Sequence, residues 1–261
     1  MSTTFSHAVS LQGRVLWALM LREIQVVHDR TKLGYLWELI KSAFGVTVFW
    51  LIRSVMGMTD TNGLHILIFL VLGFIPLHMF TDVLIKGIKT IKTNSSLLTF
   101  PQITPLDLHL SFTLVKTVSQ LLILALFLAG SAVAKIEYRL VDPLAFGLGL
   151  FGLFLFSWGT SLTITALNLY VPLIKEVIPM CTRVLFFTSG IFFSPVKLSQ
   201  RVGDWVMWNP LANYIELLRG SFLYTTPSEF IKMEFMISVT VLALGLGLLL
   251  ERYTRKKAAS E

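Results

Sequence analysis

The sequence predicts an all-α polytopic membrane protein, and three observations predict it. The 261-residue chain is 54% hydrophobic and only 14% charged. Residues 143–174 contain no Asp, Glu, Lys or Arg, so this run has no polar face of the kind a water-soluble helix turns outward. The apolar runs also have the length a bilayer core demands, about 20 residues for about 30 Å of hydrocarbon. They lack the alternation of a membrane β-barrel, and open backbone cannot face lipid, so each run is expected to be a helix.

Six transmembrane helices are expected, at residues 42–58, 64–84, 110–134, 143–169, 176–193 and 233–250. The first carries Arg53, the third Lys116 near its start, and the fifth Arg183. The chain reads as one membrane domain: an interfacial N-terminal segment (1–41), the six-helix part (42–250) and a cytoplasmic tail (251–261). Lys and Arg set the orientation. They gather at Arg14, Arg22, Arg30, Lys32 and Lys41, again at Lys86, Lys89 and Lys92, and again at Arg252, Arg255, Lys256 and Lys257, while residues 59–63 have none. Both ends are therefore expected in the cytoplasm. Lys197, Arg201 and Arg219 run against this pattern, but on a long loop where the charge rule weakens. Residues 1–28 lack the apolar core and small-residue site of a signal peptide.

Residues 11–29 read as an amphipathic helix lying in the headgroup plane, with Trp17, Met20, Leu21, Ile24 and Val27 on one face and Leu16 and Leu19 straying from it. Residues 196–228 are too polar to span and too apolar for a free loop. Trp205, Trp208, Tyr214 and Tyr224 suit a membrane interface. Asn209-Pro210 has the form of a helix start, cap then proline. Leu211, Tyr214, Ile215, Leu218 and Phe222 then fall on one face, and Glu216 and Arg219 are spaced to pair on the helix surface. Two short helices re-entering the outer leaflet are expected, bordering a path through the molecule.

Several functions are disfavoured. The net charge of +7 sits at span ends, so no nucleic acid partner is expected. The single cysteine, Cys181, excludes an internal disulfide and a Cys-based metal cluster, and no metal site is expected. The sequence has no P-loop, H-E-x-x-H, G-x-S-x-G or C-x-x-C. No catalytic residue is therefore assigned, and His65, His78 and His109 read as interfacial or packing residues. A membrane-embedded transferase or an ion channel would need converging acidic or His residues, or a filter motif, and neither is evident.

The segments Leu21-Arg22-Glu23-Ile24 and Arg30-Thr31-Lys32-Leu33-Gly34-Tyr35-Leu36-Trp37 resemble the entry segment of ABC-2 type polysaccharide export permeases. Asn94 to Pro101 and Pro105-Leu106 resemble the family's first cytoplasmic loop. Ser194-Pro195-Val196 and Asn209-Pro210-Leu211, with Glu216 and Arg219, resemble its C-terminal pattern. The likeness runs along nearly the whole chain and is strongest to the capsular polysaccharide branch; O-antigen and teichoic acid exporters are the neighbouring alternatives. Residues 97–101 lack the basic residue the family carries between leucines and proline.

The resemblance implies a homodimer with a translocation path between subunits. It also implies two separate ATP-binding subunits, which would bind the ATP and Mg while this chain binds no cofactor. It implies a cytoplasmic gate formed by Arg22, Glu23, Arg30, Lys32, Gly34, Tyr35 and Trp37, and an ATPase coupling loop with Lys89, Lys92, Asn94, Leu97 and Pro101. A periplasmic re-entrant segment would contain Pro195, Trp208, Asn209, Pro210, Glu216 and Arg219. A capsule exporter would also meet a periplasmic co-polymerase and an outer-membrane polysaccharide channel, and its cargo would be a lipid-linked acidic polysaccharide moving among membrane lipids. For such a cargo the path needs cations and aromatic faces. Arg53 and Arg183 are the candidate cations, because a charge inside a span usually faces a cavity or a partner. Trp50, Trp158 and Tyr170 are the candidate sugar-stacking rings. Lys116 reads as a side chain reaching back to the cytoplasmic headgroups.

Overall fold

A computed structural model describes residues 2–30, 35–57, 60–61, 63–100, 102–223 and 231–258, with side chains from 10–26 and from 37 onward apart from those gaps, residue 196 and residues 256–258. Among the expected site residues, Lys32, Gly34 and Pro101 lie outside the described residues, as do the side chains of Arg30 and Tyr35.

Nine α-helices dominate among the described residues: α1 (Ser2–Arg30), α2 (Tyr35–Val55), α3 (Ile66–Thr93), α4 (Pro105–Val133), α5 (Pro143–Asn168), α6 (Ile174–Thr188), α7 (Gln200–Val206), α8 (Pro210–Gly220) and α9 (Met233–Ala258). Four of them, α3, α4, α5 and α9, are long and apolar enough to cross a membrane. The chain is thus an all-α membrane protein. α2 is long enough but carries Glu38, Lys41 and Arg53, and α6 has only 15 residues with Pro179 inside. The only strand pairing among the described residues is a two-residue ladder, β1 (Asp60–Thr61) with β2 (Leu64–His65), which turns the chain from α2 into α3.

α3 is the centre of the molecule, and most of its residues from Ile66 to Ile91 are buried. It packs against α2, α4, α5, α6 and α8. It starts where His65 accepts a hydrogen bond from the Leu67 amide, and it ends at Asn94. The expected span ends at residue 84; the helix runs on to Thr93, because residues 85–93 hold no proline and keep apolar residues at helical spacing up to Asn94. Lys86, Lys89 and Lys92 are accordingly on a helix, not in a loop. α4 likewise begins earlier than expected. Thr104 and Asp107 form a reciprocal capping box with Pro105 in the first turn, a signal that Thr104-Pro105-Leu106-Asp107 carried in plain view. α9 extends to Ala258, so most of the expected tail is helix, with Glu251 buried and paired to Arg255 at 3.0 Å.

α5 and α9 share the most extensive helix contact among the described residues. A Cβ on Gly159 would lie 2.6 Å from the Leu244 nitrogen, and one on Gly247 would lie 2.7 Å from the Gly159 carbonyl oxygen. Small residues let membrane helices approach backbone to backbone, where packing replaces the hydrophobic drive that lipid does not supply. Thr163 donates across this seam to the Ala243 carbonyl at 3.3 Å.

Candidate functional site

Two polar constellations stand at opposite ends of α3. At its C-terminal end, α1, α2, α3 and α4 enclose a cavity of about 910 Å3. α1 packs on α4 with Leu19 buried and Val15, Leu16, Arg22, Glu23 and Val26 partly buried, while Trp17 (62% exposed), Leu21 and Ile24 point away. The helix is amphipathic, but its packed stripe holds Leu16 and Leu19, which the sequence pattern treats as strays. The aromatic and aliphatic stripe faces outward, as a lipid-facing side must.

Charges meet in this cavity. Glu23 of α1 pairs with Lys86 of α3. Glu38 of α2 pairs with Lys116 of α4, which also reaches Asp82 of α3 at 3.7 Å. Arg22 donates to the Asn94 side chain at 2.7 Å, and Lys41 stands 5.8 Å from the Trp37 ring. Lys116 is therefore not a residue stretching to headgroups. Two carboxylates from two other helices hold it inward, a pairing that distance in sequence concealed. Three expected gate residues (Arg22, Glu23 and Trp37) and two expected coupling residues (Lys89 and Asn94) line this one cavity. Lys92 sits in the last turn of α3, facing a neighbouring cavity with Lys175 and Glu176. Leu97 ends a short 3-10 turn, Ser95–Leu97. His78, Asp82, Ser42 and Gln120 also line the charged cavity; sequence reasoning missed their role, and only the i, i+4 spacing of His78 and Asp82 hinted at a shared face.

At the N-terminal end of α3, Arg219 of α8 is buried, 2% exposed. All five of its N–H donors find acceptors. Nε donates to the Phe69 carbonyl at 3.3 Å and Nη2 to the same carbonyl at 3.1 Å. Nη2 also reaches the Ile191 carbonyl at 3.0 Å, and Nη1 reaches Gly190 at 2.7 Å and Glu216 at 2.8 Å. Its guanidinium carbon lies 3.5 Å from the Phe69 ring centre. Gly73 leaves room for it, since a Cβ there would come within 2.7 Å of Nη2, and Gly190 presents its carbonyl from a left-handed φ of +71°. The Glu216–Arg219 pair forms as the spacing indicates, but inside the protein and not on a helix surface. A buried pair is tolerable only when the remaining donors are satisfied too; here three carbonyls supply that.

The start of α8 matches the sequence reading. Asn209 caps Leu211 at 3.0 Å with Pro210 in the first turn, and its amide donates to Ser189 at 2.9 Å. Leu211, Tyr214, Ile215, Leu218 and Phe222 are all buried. Tyr214 is thus a core residue, hydrogen-bonded to Thr240 at 2.7 Å, and not an interfacial one. Pro195 opens a short 3-10 turn. Trp205 and Trp208 are exposed, as expected, with Lys232 4.7 Å above the Trp208 ring; Tyr224 lies outside the described residues. Asn213, unnoticed in the sequence, bridges Met207, Asn209 and the Lys232 amide.

The five expected path residues do not converge within the chain. Arg53 sits partly buried in the last turn of α2. Trp50 packs on the core. Trp158 stacks on Phe154 in α5. Tyr170 follows α5 beside Leu169, which meets Ile91 at the other end of α3. Arg183 is exposed on α6, lining a cavity of about 300 Å3 with His78 and Phe186.

Comparison with known proteins supplies the wider frame. Residues 14–223 match the family described as ABC-2 type transporter. The polysialic acid transport protein KpsM of Escherichia coli is 26% identical over 92% of this chain and 93% of its own. The capsule polysaccharide export inner-membrane protein CtrC of Neisseria meningitidis is 24% identical over 94% and 93%. The O-antigen export system permease protein RfbA of Klebsiella pneumoniae is 20% identical over 87% of each chain.

Proposed function

The chain belongs to the ABC-2 type transporter family, and we propose from that premise that it is the membrane subunit of an exporter moving lipid-anchored capsular polysaccharide across the inner membrane. A separate ATPase subunit, binding ATP and Mg, powers it. Relatives named for capsule export, matched end to end, favour this over O-antigen export, for which the relative is more distant. The observation that carries the reading is the cavity at the α3 C-terminal end, because it joins residues of the entry helix α1 to those at the α3 exit. A push on the α3–α4 connection by an ATPase would be felt directly at Glu23–Lys86 and Arg22–Asn94.

In this reading α2 and α6 complete six spans, and both termini and the charged cavity lie on the cytoplasmic side. The exposed faces of α2 and α6, with Phe44, Leu51, Val55, Met180, Val184 and Phe187, meet a second copy in a homodimer, with α7 and α8 on the periplasmic side. Arg53, Arg183, Trp50, Trp158 and Tyr170 would then converge from two protomers, and a co-polymerase and outer-membrane channel would receive the glycan.

The deciding experiment is glycan location in a strain lacking the gene. Lipid-linked acidic polysaccharide accumulating inside, with surface capsule restored by complementation, is the expected outcome; normal surface glycan without the gene would reject the reading. Arg53→Ala and Arg183→Ala, at equal protein level, are each expected to lower surface glycan about tenfold, the scale of one lost charge-assisted contact. Unchanged surface glycan in both would remove the cationic path.

A further inference from the structure

A second polar cavity, of about 610 Å3, lies at the same end of α3 but against a different pair of helices, where α5 ends and α6 begins. Three lysines line it: Lys89 and Lys92 near the end of α3, and Lys175 in the first turn of α6. Among the described residues, no ion pair joins any of them to an acid. α6 also starts here, behind Leu173 and without a side-chain cap, so the partial positive charge of a helix N-terminus adds to the lysines. Cations from two separate helices call for an anion with several acceptor oxygens, which a phosphate provides.

The lining is not uniformly positive. Glu176 follows Lys175 in the same turn, and among the described residues no cation pairs with it. Asn168, the last residue of α5, lines the cavity too, and its Oδ1 is buried without a donor. An orphaned buried acceptor beside an unpaired carboxylate calls for N–H donors, best carried on a cation. The rest of the wall is apolar, with Ile88 and Ile91 of α3 and Leu169 after α5. The α5–α6 connection continues with exposed Val171 and Leu173. The site thus asks for a phosphate, an ammonium close to it, and hydrocarbon next to both.

We propose that this cavity holds the headgroup of a resident bilayer phospholipid, phosphatidylethanolamine, as a bound ligand and not as cargo. The phosphate rests on Lys89, Lys92 and Lys175, the ammonium donates to Glu176 and to Asn168 Oδ1, and the acyl chains leave over Val171 and Leu173. Basic pockets between helices on the cytoplasmic side are where particular headgroups bind, and in the orientation proposed above this end of α3 lies on that side. Lys89 and Thr93 line both this cavity and the charged one. A bound lipid therefore draws the Lys89 charge toward α6 and ties the end of α3 to the start of α6, the segment through which an ATPase would push.

The test uses the permease with its ATPase subunit in phosphatidylcholine nanodiscs containing equal small amounts of phosphatidylethanolamine and phosphatidylglycerol, with native mass spectrometry counting the lipids each complex keeps. Phosphatidylcholine has the phosphate and a cation without N–H donors; phosphatidylglycerol has the phosphate and no cation. Relative to its share of the bilayer, phosphatidylethanolamine is expected to be kept about tenfold over either. Lys175→Gln should lower retention of phosphatidylethanolamine and phosphatidylglycerol alike, and Glu176→Gln should erase the difference between them. Both side chains are exposed on α6, so neither change disturbs the core. Equal retention of the three lipids overturns the site, as does a preference that survives Glu176→Gln. Free phosphoethanolamine displacing the lipid at equal concentration would assign the pocket to a soluble phosphate ester and overturn the lipid. Retention by the permease alone that ends when the ATPase subunit is added would mean that protein fills the pocket, and overturns it too. Capsule restoration in the deletion strain is indifferent to all these outcomes, so the export reading and the lipid site fail separately.

Discussion

Replacing Arg219 with Leu is expected to abolish the folded permease. The change strips Glu216 of its cation in a buried setting and leaves the carbonyls of Phe69, Gly190 and Ile191 without their donors. Breaking a buried charge pair by removing one partner costs about 3–5 kcal/mol, and the Gly190 and Ile191 carbonyls, which lie beyond α6, each add about 1 kcal/mol or more when their donor is lost. Against a typical total of about 5–15 kcal/mol, that is most of the stability. Arg219→Lys keeps the charge but offers three donors where five are used, so it should be milder yet still clearly destabilised. Detergent-extracted protein followed by size exclusion and thermal denaturation checks both. A normal melting profile for Arg219→Leu would show that the cluster contributes little.

Gly159→Leu is expected to separate α5 from α9. The new Cβ would begin 2.6 Å from a backbone nitrogen and 2.8 Å from the Ala243 carbonyl carbon, and neither is a side-chain tip that can turn aside. Overpacking usually costs about 1–3 kcal/mol; a clash with backbone along the principal helix seam should reach the top of that range or exceed it. Gly245→Ala, on the same partner helix but with open space around its Cβ, is the control. It should be neutral or stabilising by up to about 1 kcal/mol, as expected for Gly to Ala within a helix. Equal melting temperatures for Gly159→Leu and the wild type would mean that the two helices can move apart freely.

The sequence is a good guide wherever the signal is local. α5 begins at Pro143 as expected, behind Asp142, whose side chain accepts from the Ala145 amide, because a cap and a proline announce a helix start regardless of what lies around it. The buried stripe of α8 is legible for the same reason. What stayed hidden depended on partners far along the chain. Lys116 looks like a solitary charge until Glu38 arrives from 78 residues away, and Arg219 looks like a surface residue until the Phe69 carbonyl arrives from 150 residues away. On α1 the outward stripe of Trp17, Leu21 and Ile24 is legible, but Leu16 and Leu19 read as strays because a single apolar stripe does not reveal a second, protein-facing one. For a helix between lipid and protein, the apolar side belongs outside and the charged side in the cavity.

Asp107 illustrates how one side chain can confound genetics. Its Oδ2 closes the capping box of α4, accepting from the Thr104 amide at 2.9 Å, while its Oδ1 accepts from Gln12 of α1. A screen that substitutes this carboxylate will see a single defect with two origins, a poorly nucleated helix and an α1 that has lost one of its ties, and no allele at that position separates them. Gln12 carries only the second duty. Alleles there, and suppressors of them, are where the attachment of the N-terminal helix becomes a genetically isolated trait.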